Sequence, residues 1–424
     1  MANRTLLVDR RVAVVGAGPI GLEAALYAAA LGASVRVYEA GAVAAHVGEW
    51  GHVHLFTPFG MNHTPLGRRT LESAGCRLPA DSTFQTGAEW RDCYLMPLAQ
   101  RTVVADGLTT GSRIVSLGRG SLLKGDHIGD GRRSDHRFRL LVEVDAAERY
   151  EEADIVLDCS GSWGVPCRLG AGGLPALGER AADERITYHP VDVAGSQRRR
   201  YAGRRTLLVG DGLSAATTAV ALAELAAEDP GTQVIWITRG AGSAPIRPIE
   251  DDTLSRRAEL TEAANRVATA PAAGVEWAPG CSVSSIHWLP DLQHFDVVLR
   301  TPNADRSQQF DAVIANVGYQ PDNSIYRELQ IHECYASGAP MKLAASLLAA
   351  GAEAGGDCLK LGGFGAEVLV NPEPEFFILG MKSYGRNSAF LLQSGHEQVR
   401  DVFCLLTGKA DLDLYVQPNV TAEV

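Results

Sequence analysis

The sequence predicts an α/β fold built on parallel sheets, and three observations carry the prediction. Two segments far apart in the chain, Arg11 to Glu39 and Arg204 to Arg239, each read as strand, glycine turn, helix, strand. Their first strands are short apolar runs (Val12, Val14 and Val15; Thr206 to Val209), the kind buried on both faces of a parallel sheet. Two further apolar runs, Asp154 to Leu157 and Asp311 to Ala315, each deliver a small-residue turn: Asp158-Cys159-Ser160-Gly161 and Asn316-Val317-Gly318.

In the first segment Gly16, Gly18 and Gly21 form G-x-G-x-x-G. The first glycine makes a tight turn, the second lets a diphosphate approach the backbone, and the third lets helix and strand pack closely. Pro19 suits the first helical position, where a missing N–H costs nothing. The N–H groups and positive dipole end of the helix that follows favour an anion. Gly32 is placed to stop the helix. Ser34 to Tyr38 is the next strand, and Glu39 at its end offers a carboxylate to a ribose 2′-hydroxyl. This segment is a Rossmann-like dinucleotide-binding fingerprint.

From Arg204 the pattern recurs. Gly210, Gly212, Ser214 and Ala215 lie in Gly-Asp-Gly-Leu-Ser-Ala, the G-x-G-x-x-A form. An alanine-rich helix follows to Ala227, Asp229-Pro230-Gly231 breaks it, and Gln233 to Thr238 is a strand. This strand ends in Arg239. An arginine there holds the 2′-phosphate of NADP(H), where a carboxylate would repel it; Arg247 is a candidate helper. If Arg239 is only a solvated loop residue, the nucleotide is NAD(H).

The chain has 424 residues, enough for two or three domains, and a net charge of −11. That charge argues against a nucleic-acid or anionic-membrane surface. No apolar run approaches the ~20 residues that cross a bilayer, and the first strand begins within about ten residues of Met1 without a signal-peptide pattern. A cytoplasmic location is expected. The eight cysteines contain no C-x-x-C and read as reduced, packed thiols.

Between the fingerprints the chain is less regular. His52 and His54 alternate on an expected extended segment, yet no carboxylate or thiolate stands at a familiar metal spacing, so no metal site is expected. Trp90 and Tyr94 are four apart on a short helix that Pro97 should limit. Phe138 to Val144 and Glu375 to Leu379 are strands, and Leu254 to Ala268 is a helix. A last helix, capped by Asn387 or Ser388, carries Leu392, Val399, Val402, Phe403 and Leu406 at helical spacing. Ile331 to Leu348 is a candidate subunit contact, for a homodimer, or a lid.

Two fingerprints of opposite terminal charge ask for two unlike dinucleotides, FAD on the first and NADPH on the second, with a hydride passing between them. On GAGPIG, VGDGLSA, DCSGSWGVP and ANVGYQP the chain resembles the flavoproteins with two dinucleotide-binding domains. These include flavin-containing and Baeyer–Villiger monooxygenases and thioredoxin-reductase-like disulfide reductases. The resemblance implies an NADP domain inserted in the FAD domain: residues 1–165, then 166–310, then 311–424 returning to the flavin. It also implies that Gly161, Gly318 and Gly380 approach cofactor, with Trp50 nearby.

Departures select among members. The redox cysteine pair of the disulfide reductases is absent. Gly380-Met381 stands where many members carry Gly-Asp, whose acid holds the ribityl chain. The segment before the second fingerprint lacks the F-x-G-x-x-x-H motif of flavin-containing and Baeyer–Villiger monooxygenases. The expected activity is an FAD-dependent, NADPH-using monooxygenase that passes an oxygen atom from O₂ to a small amine or sulfur compound. Asn62 resembles an asparagine that flavin-containing monooxygenases place near the flavin, with a turn residue as its other reading. Arg386 and Asn387 stand before the last helix, whose N-terminus would stabilise negative charge on a reduced flavin. The same parts would also serve an NAD(P)H-dependent flavin reductase, dehydrogenase or oxidase without oxygen insertion. A flavin-binding sensor or scaffold, and an NAD-only enzyme, are further readings.

Overall fold

The computed structural model describes residues 6–269, 274–354, 357–361 and 363–416. They form two compact units, Met1–Val165 with Gln320–Val424, and Pro166–Tyr319. The second unit therefore interrupts the first in sequence.

The first unit begins with β1 (Arg11–Val15), α1 (Pro19–Ala30) and β2 (Ser34–Tyr38), followed by α2 (Ala45–Glu49), α3 (Pro65–Ser73), α4 (Gly87–Trp90) and α5 (Met96–Arg101). Strands β3 (Leu108–Thr109), β4 (Ser112–Arg119), β5 (Phe138–Val144), β6 (Ala147–Ala153) and β7 (Ile155–Asp158) complete its first part. Pro97 does not end the helix at 90–101. Arg91–Leu95 forms a π turn between α4 and α5, and Pro97 sits in the first turn after it. A widened turn absorbs the missing N–H and the ring clash that proline brings to a regular helix. His52 and His54 fall in a turn, where only His54 makes a bridge, to Thr86.

The second unit holds α6 (Glu179–Ala182), α7 (Arg198–Tyr201), β8 (Arg205–Val209), α8 (Leu213–Glu228), β9 (Gln233–Thr238), α9 (Ser255–Thr269) and β10 (Val275–Pro279). Then come β11 (Ser282–Leu289), β12 (His294–Arg300), β13 (Asp305–Phe310) and β14 (Ala312–Ala315). The chain returns to the first unit with α10 (Met341–Ala354), β15 (Phe376–Ile378) and α11 (Leu392–Thr407).

Each unit is a parallel sheet with an antiparallel one. The order in the first is β15-β7-β1-β2-β3, beside β4-β5-β6. The order in the second is β10-β9-β8-β14, beside β11-β12-β13. Val14 sits in register between Val37 and Leu157, and Leu208 between Trp236 and Ile314. This is an α/β fold with two Rossmann-like units. The second unit runs to Tyr319 and not to the expected 310. The reason is β14, which completes its sheet by pairing with β8.

Helix α1 is buried almost all round, so it reads as apolar without a polar face. It packs on α11, where Tyr27 stacks on Phe403 with centroids 5.0 Å apart. Helix α11 starts at Leu392, later than Asn387 or Ser388 predicts. The Asn387 side chain instead closes a short turn by accepting the Ala389 N–H at 2.9 Å.

Candidate functional site

The first glycine turn lies at the C-terminal end of β1. Gly16 has φ +96°, a left-handed conformation that a side chain would strain. A Cβ added at Gly16 would also stand 2.9 Å from the Cys159 carbonyl oxygen and 3.1 Å from the Ser160 Cα. A Cβ on Gly21 would overlap the Gly16 carbonyl oxygen. The three neighbouring strands thus hold the turn tightly from behind. In front it is open: nothing lies within 4 Å of a Cβ built on Gly18, nor of one built on Gly161, where φ is +74°. These are the positions where backbone can approach a ligand.

Glu39, at the end of β2, receives the Ala17 N–H at 2.7 Å and the Gly41 N–H at 2.8 Å, one on each carboxylate oxygen. It fastens the turn and keeps lone pairs for a ribose hydroxyl. Pro19 takes the first helical position of α1, and no side chain caps the helix N-terminus. The same holds for α2, α5, α6, α7, α8 and α11, so it is the open glycine turn in front of α1 that sets this end apart. Thr64 caps α3, and Thr86 with Glu89 forms a complete capping box on α4. An uncapped N-terminus behind a glycine turn leaves donors and a dipole end for an anion.

The second unit repeats the arrangement. Gly210 has φ +144°, and a Cβ there would overlap the Asn316 carbonyl oxygen. Nothing lies within 4 Å of a Cβ built on Gly212, or on Gly318 with φ +84°. Helix α8 also begins without a side-chain cap. Asn316 is buried, and its side-chain oxygen receives the Thr218 hydroxyl at 2.8 Å, tying the end of β14 to α8. Ser214 is exposed on the first turn of α8, and Ala215 is buried behind it. Arg239 follows β9 and is exposed, as is Arg247. Among the described residues neither guanidinium has an ion-pair partner. Asp211 is exposed inside the turn, an acid beside the place a diphosphate would take.

The remaining expected site residues lie in the first unit with varied roles. Trp50 follows α2, and its ring rests on the Gly87 backbone so closely that no Cβ fits there. Asn62 is 1% exposed. Its amide oxygen receives the Thr57 hydroxyl at 2.7 Å, its amide N–H donates to the Thr57 carbonyl at 3.0 Å, and its own carbonyl takes the Trp90 indole N–H at 3.0 Å. These bonds close the turn from Thr57 to Asn62. Arg386 is exposed and donates to Gln320, and its backbone N–H meets the Ser337 carbonyl at 3.0 Å. Gly380, with φ +70°, packs against Ile20 of α1, and its N–H donates to Gln398 at 2.8 Å.

Two buried polar clusters escaped the sequence. Lys382 and Asp158, 224 residues apart, form an ion pair of 2.6 Å at the C-terminal edge of the first sheet, with Ser160 beside them. Glu23, on the second turn of α1, is fully buried and receives the Thr64 hydroxyl at 3.0 Å. Burial pushes its carboxyl up to about 7 against the lowering effect of Thr64 and Tyr415. Burial likewise holds the His396 imidazole down at about 3. Nothing local in the sequence marks either cluster, because their partners arrive from distant strands and the C-terminal segment.

All eight cysteines are free thiols, and burial raises the pKa of the one beside the first turn, Cys159, well above its usual value. Among the described residues no group of three histidine, cysteine or acidic side chains is placed to hold a metal, and no helix is long and apolar enough to cross a membrane.

No family model and no curated protein matches the sequence. Solved structures do match. A bacillithiol disulfide reductase from Bacillus cereus is 16% identical, with TM-score 0.65, covering 94% of this chain and 99% of its own. An ornithine N-hydroxylase from Kutzneria sp. 744, with reduced FAD, NADP+ and L-ornithine, is 14% identical, with TM-score 0.63 and the same coverages, 94% and 99%. A flavin monooxygenase from Stenotrophomonas maltophilia is 19% identical, with TM-score 0.58, covering 94% of this chain and 98% of its own. At these identities the likeness speaks for the fold: this chain has the fold of the flavoproteins with two dinucleotide-binding domains.

Proposed function

We propose that this chain is an FAD- and NADPH-dependent oxidoreductase, and within that class a monooxygenase acting on a small soft nucleophile, an amine or a sulfur compound. One observation carries the cofactor assignment. Both glycine turns open onto uncapped helix N-termini, yet one neighbouring strand ends in a carboxylate and the other in an exposed guanidinium. The solved ornithine N-hydroxylase contains that same pair of cofactors.

In this reading the N-terminus of α1 and the Gly18 backbone face the FAD diphosphate, and Glu39 accepts from the adenosine ribose while fastening the turn. The N-terminus of α8 faces the NADPH diphosphate, and Arg239 supplies the charge that selects a 2′-phosphate. Arg239 and Arg247 offset the adverse Asp211. FAD at such a site supplies acceptance of hydride and activation of O₂. Oxygenation is favoured over disulfide reduction by the thiols. None of the eight stands in a C-x-x-C motif; burial raises the pKa of the Cys159 thiol beside the first turn, and the one thiol whose pKa hydrogen bonds lower, Cys334, lies away from that turn in the sequence, before α10. The second reading, a reductase or oxidase without oxygen insertion, draws on the likeness to a bacillithiol disulfide reductase.

The test starts with the visible spectrum of the purified protein and its uptake of added FAD. NADPH and NADH oxidation are then compared, and oxygenated product is balanced against H₂O₂ over a panel of amines and thioethers. Coupled oxygenation with NADPH is expected. Stoichiometric H₂O₂ with every compound would leave the oxidase reading. A colourless protein that refuses FAD would end both.

A further inference from the structure

The acid that would hold a ribityl chain is missing at Met381, and the structure supplies another acceptor at the same sheet edge. Asp158 ends β7, and Lys382 lies just beyond β15, the strand that pairs with β7. Both side chains are buried, 0% exposed for Asp158 and 1% for Lys382. The Lys382 ammonium donates to Asp158 at 2.6 Å and to the Ser160 hydroxyl at 3.0 Å, and it lies 5.1 Å from the centre of the Tyr326 ring. The other Asp158 oxygen receives the Ser160 hydroxyl proton at 2.6 Å and the Ser160 N–H at 3.1 Å.

The proton bookkeeping of Ser160 follows. Its one hydrogen is committed to a carboxylate, and one lone pair already accepts from an ammonium. Ser160 is an exposed residue, and what its hydroxyl has left is a single acceptor site. A buried, paired cation and anion hold that state firmly, because releasing either partner would leave a buried charge unmatched. Ser160 therefore suits a ligand O–H and rejects a phosphate oxygen, which is itself an acceptor. It also stands in the right neighbourhood: its Cα is 3.1 Å from a Cβ built on Gly16, and the next residue is the open Gly161.

We propose that Ser160, fixed as an acceptor by the Lys382–Asp158 pair, takes a polyol hydroxyl of the FAD ribityl chain, the contact that Met381 leaves unmade. Lys382 and Asp158 are then positioning residues. The proposal rests on the first unit being the FAD unit.

The test is equilibrium binding to apo-protein followed by flavin fluorescence, with FAD and with an FAD analogue whose ribityl chain lacks its hydroxyls. Ser160→Ala takes a donor from the buried Asp158 and an acceptor from the buried Lys382, so the melting temperature of the apo-protein should fall modestly, a loss that the analogue arm controls for. Its FAD dissociation constant should rise about tenfold, the scale of one hydrogen bond, while its affinity for the deoxygenated analogue equals that of the wild type. Asp158→Asn leaves the Lys382 ammonium without its anion and loosens the hold on the Ser160 proton, so its melting temperature should fall; in the folded protein it should weaken FAD in the wild-type background and do so less in Ser160→Ala, a non-additivity that a purely structural role does not produce. Equal FAD affinity in wild type and Ser160→Ala would overturn the proposal, and so would an equal loss for FAD and the analogue. Wild-type protein that binds no FAD would instead overturn the cofactor assignment and this contact with it.

Discussion

The two glycine turns share a spacing and differ in how they are closed. Gly210, Gly212 and Ala215 repeat the intervals of Gly16, Gly18 and Gly21. In the first turn a Cβ at Gly21 would overlap the Gly16 carbonyl. In the second Ala215 carries that Cβ, and Gly210 has φ +144° where Gly16 has φ +96°. The first turn is fastened by a carboxylate taking the Ala17 N–H, the second by the Trp236 indole donating to the Gly210 carbonyl at 2.8 Å. Two residues beyond the third motif position, α1 carries the buried Glu23, while α8 carries Thr217, whose hydroxyl merely returns to the Leu213 carbonyl. At the third motif position the first turn is therefore tight, backbone on backbone, and the second loose, with room for a methyl, while each helix is apolar and carries a buried polar tie.

The largest effect should come from erasing that difference in the tight turn. Gly21→Ala adds a methyl that overlaps the Gly16 backbone, and backbone cannot rotate away. A loss beyond about 3 kcal/mol is expected, above the usual cost of overpacking, with loss of FAD uptake. Thermal and urea unfolding measure it. A folded Gly21→Ala protein that still takes FAD would show the first turn to be as adaptable as the second.

Glu23 should come next. Its carboxyl is protonated in the fold up to about pH 7 and in the unfolded chain only up to about 4.5. The folded state thus holds the extra proton between those values, and stability falls as pH rises from 4.5 through 7. His396 works in the opposite direction. Its depressed folded pKa gives stability that is present above 6.5 and is lost as pH falls toward about 3. The two slopes cancel between about 4.5 and 6.5, so the loss from Glu23 emerges above that window. Glu23→Gln mimics the protonated acid. It should match the wild type near pH 4 and exceed it at pH 8 by on the order of 3 kcal/mol. Identical melting profiles for the two proteins across pH 4 to 8 would refute a buried, titrating acid in α1.

Arg239→Ala should then separate the nucleotides. Removing an exposed guanidinium from a phosphate is expected to raise KM for NADPH about tenfold and leave KM for NADH unchanged. Equal effects on both would mean that Arg239 reads no 2′-phosphate.

Much of this comparison was legible in the sequence, because glycine spacing, strand composition and the terminal Glu39 and Arg239 are local signals. Gly16 and Gly210 are glycines for reasons of backbone conformation and close approach, and a one-dimensional pattern records both. The antiparallel strand Phe138–Val144 reads directly from its composition. What failed to show depends on distant partners. Lys382 looks like a surface lysine until β15 lays it beside Asp158. Glu23 looks like an exposed helix acid until the loop bearing Thr64 covers it. Asn62 resembles a site residue in sequence but spends its amide on Thr57. Pro97 misleads because a π turn, which no propensity announces, makes room for it.

The smallest expected effect tests the loose turn from its own side. Ala215→Gly removes the methyl that stands where the first turn has glycine. The methyl is fully buried, so a small void and a more flexible backbone both weigh against the variant. The void is one methyl wide, however, and the residue lies in the first turn of α8, where glycine costs less than it does mid-helix. A destabilisation of about 1 kcal/mol or less is expected, with NADPH binding within about twofold of the wild type. A shift of the melting temperature as large as that of Gly21→Ala would mean that both turns are equally strict. The alanine would then be a second way of closing a tight turn, and the contrast between the two units would rest on Glu39 and Arg239 alone.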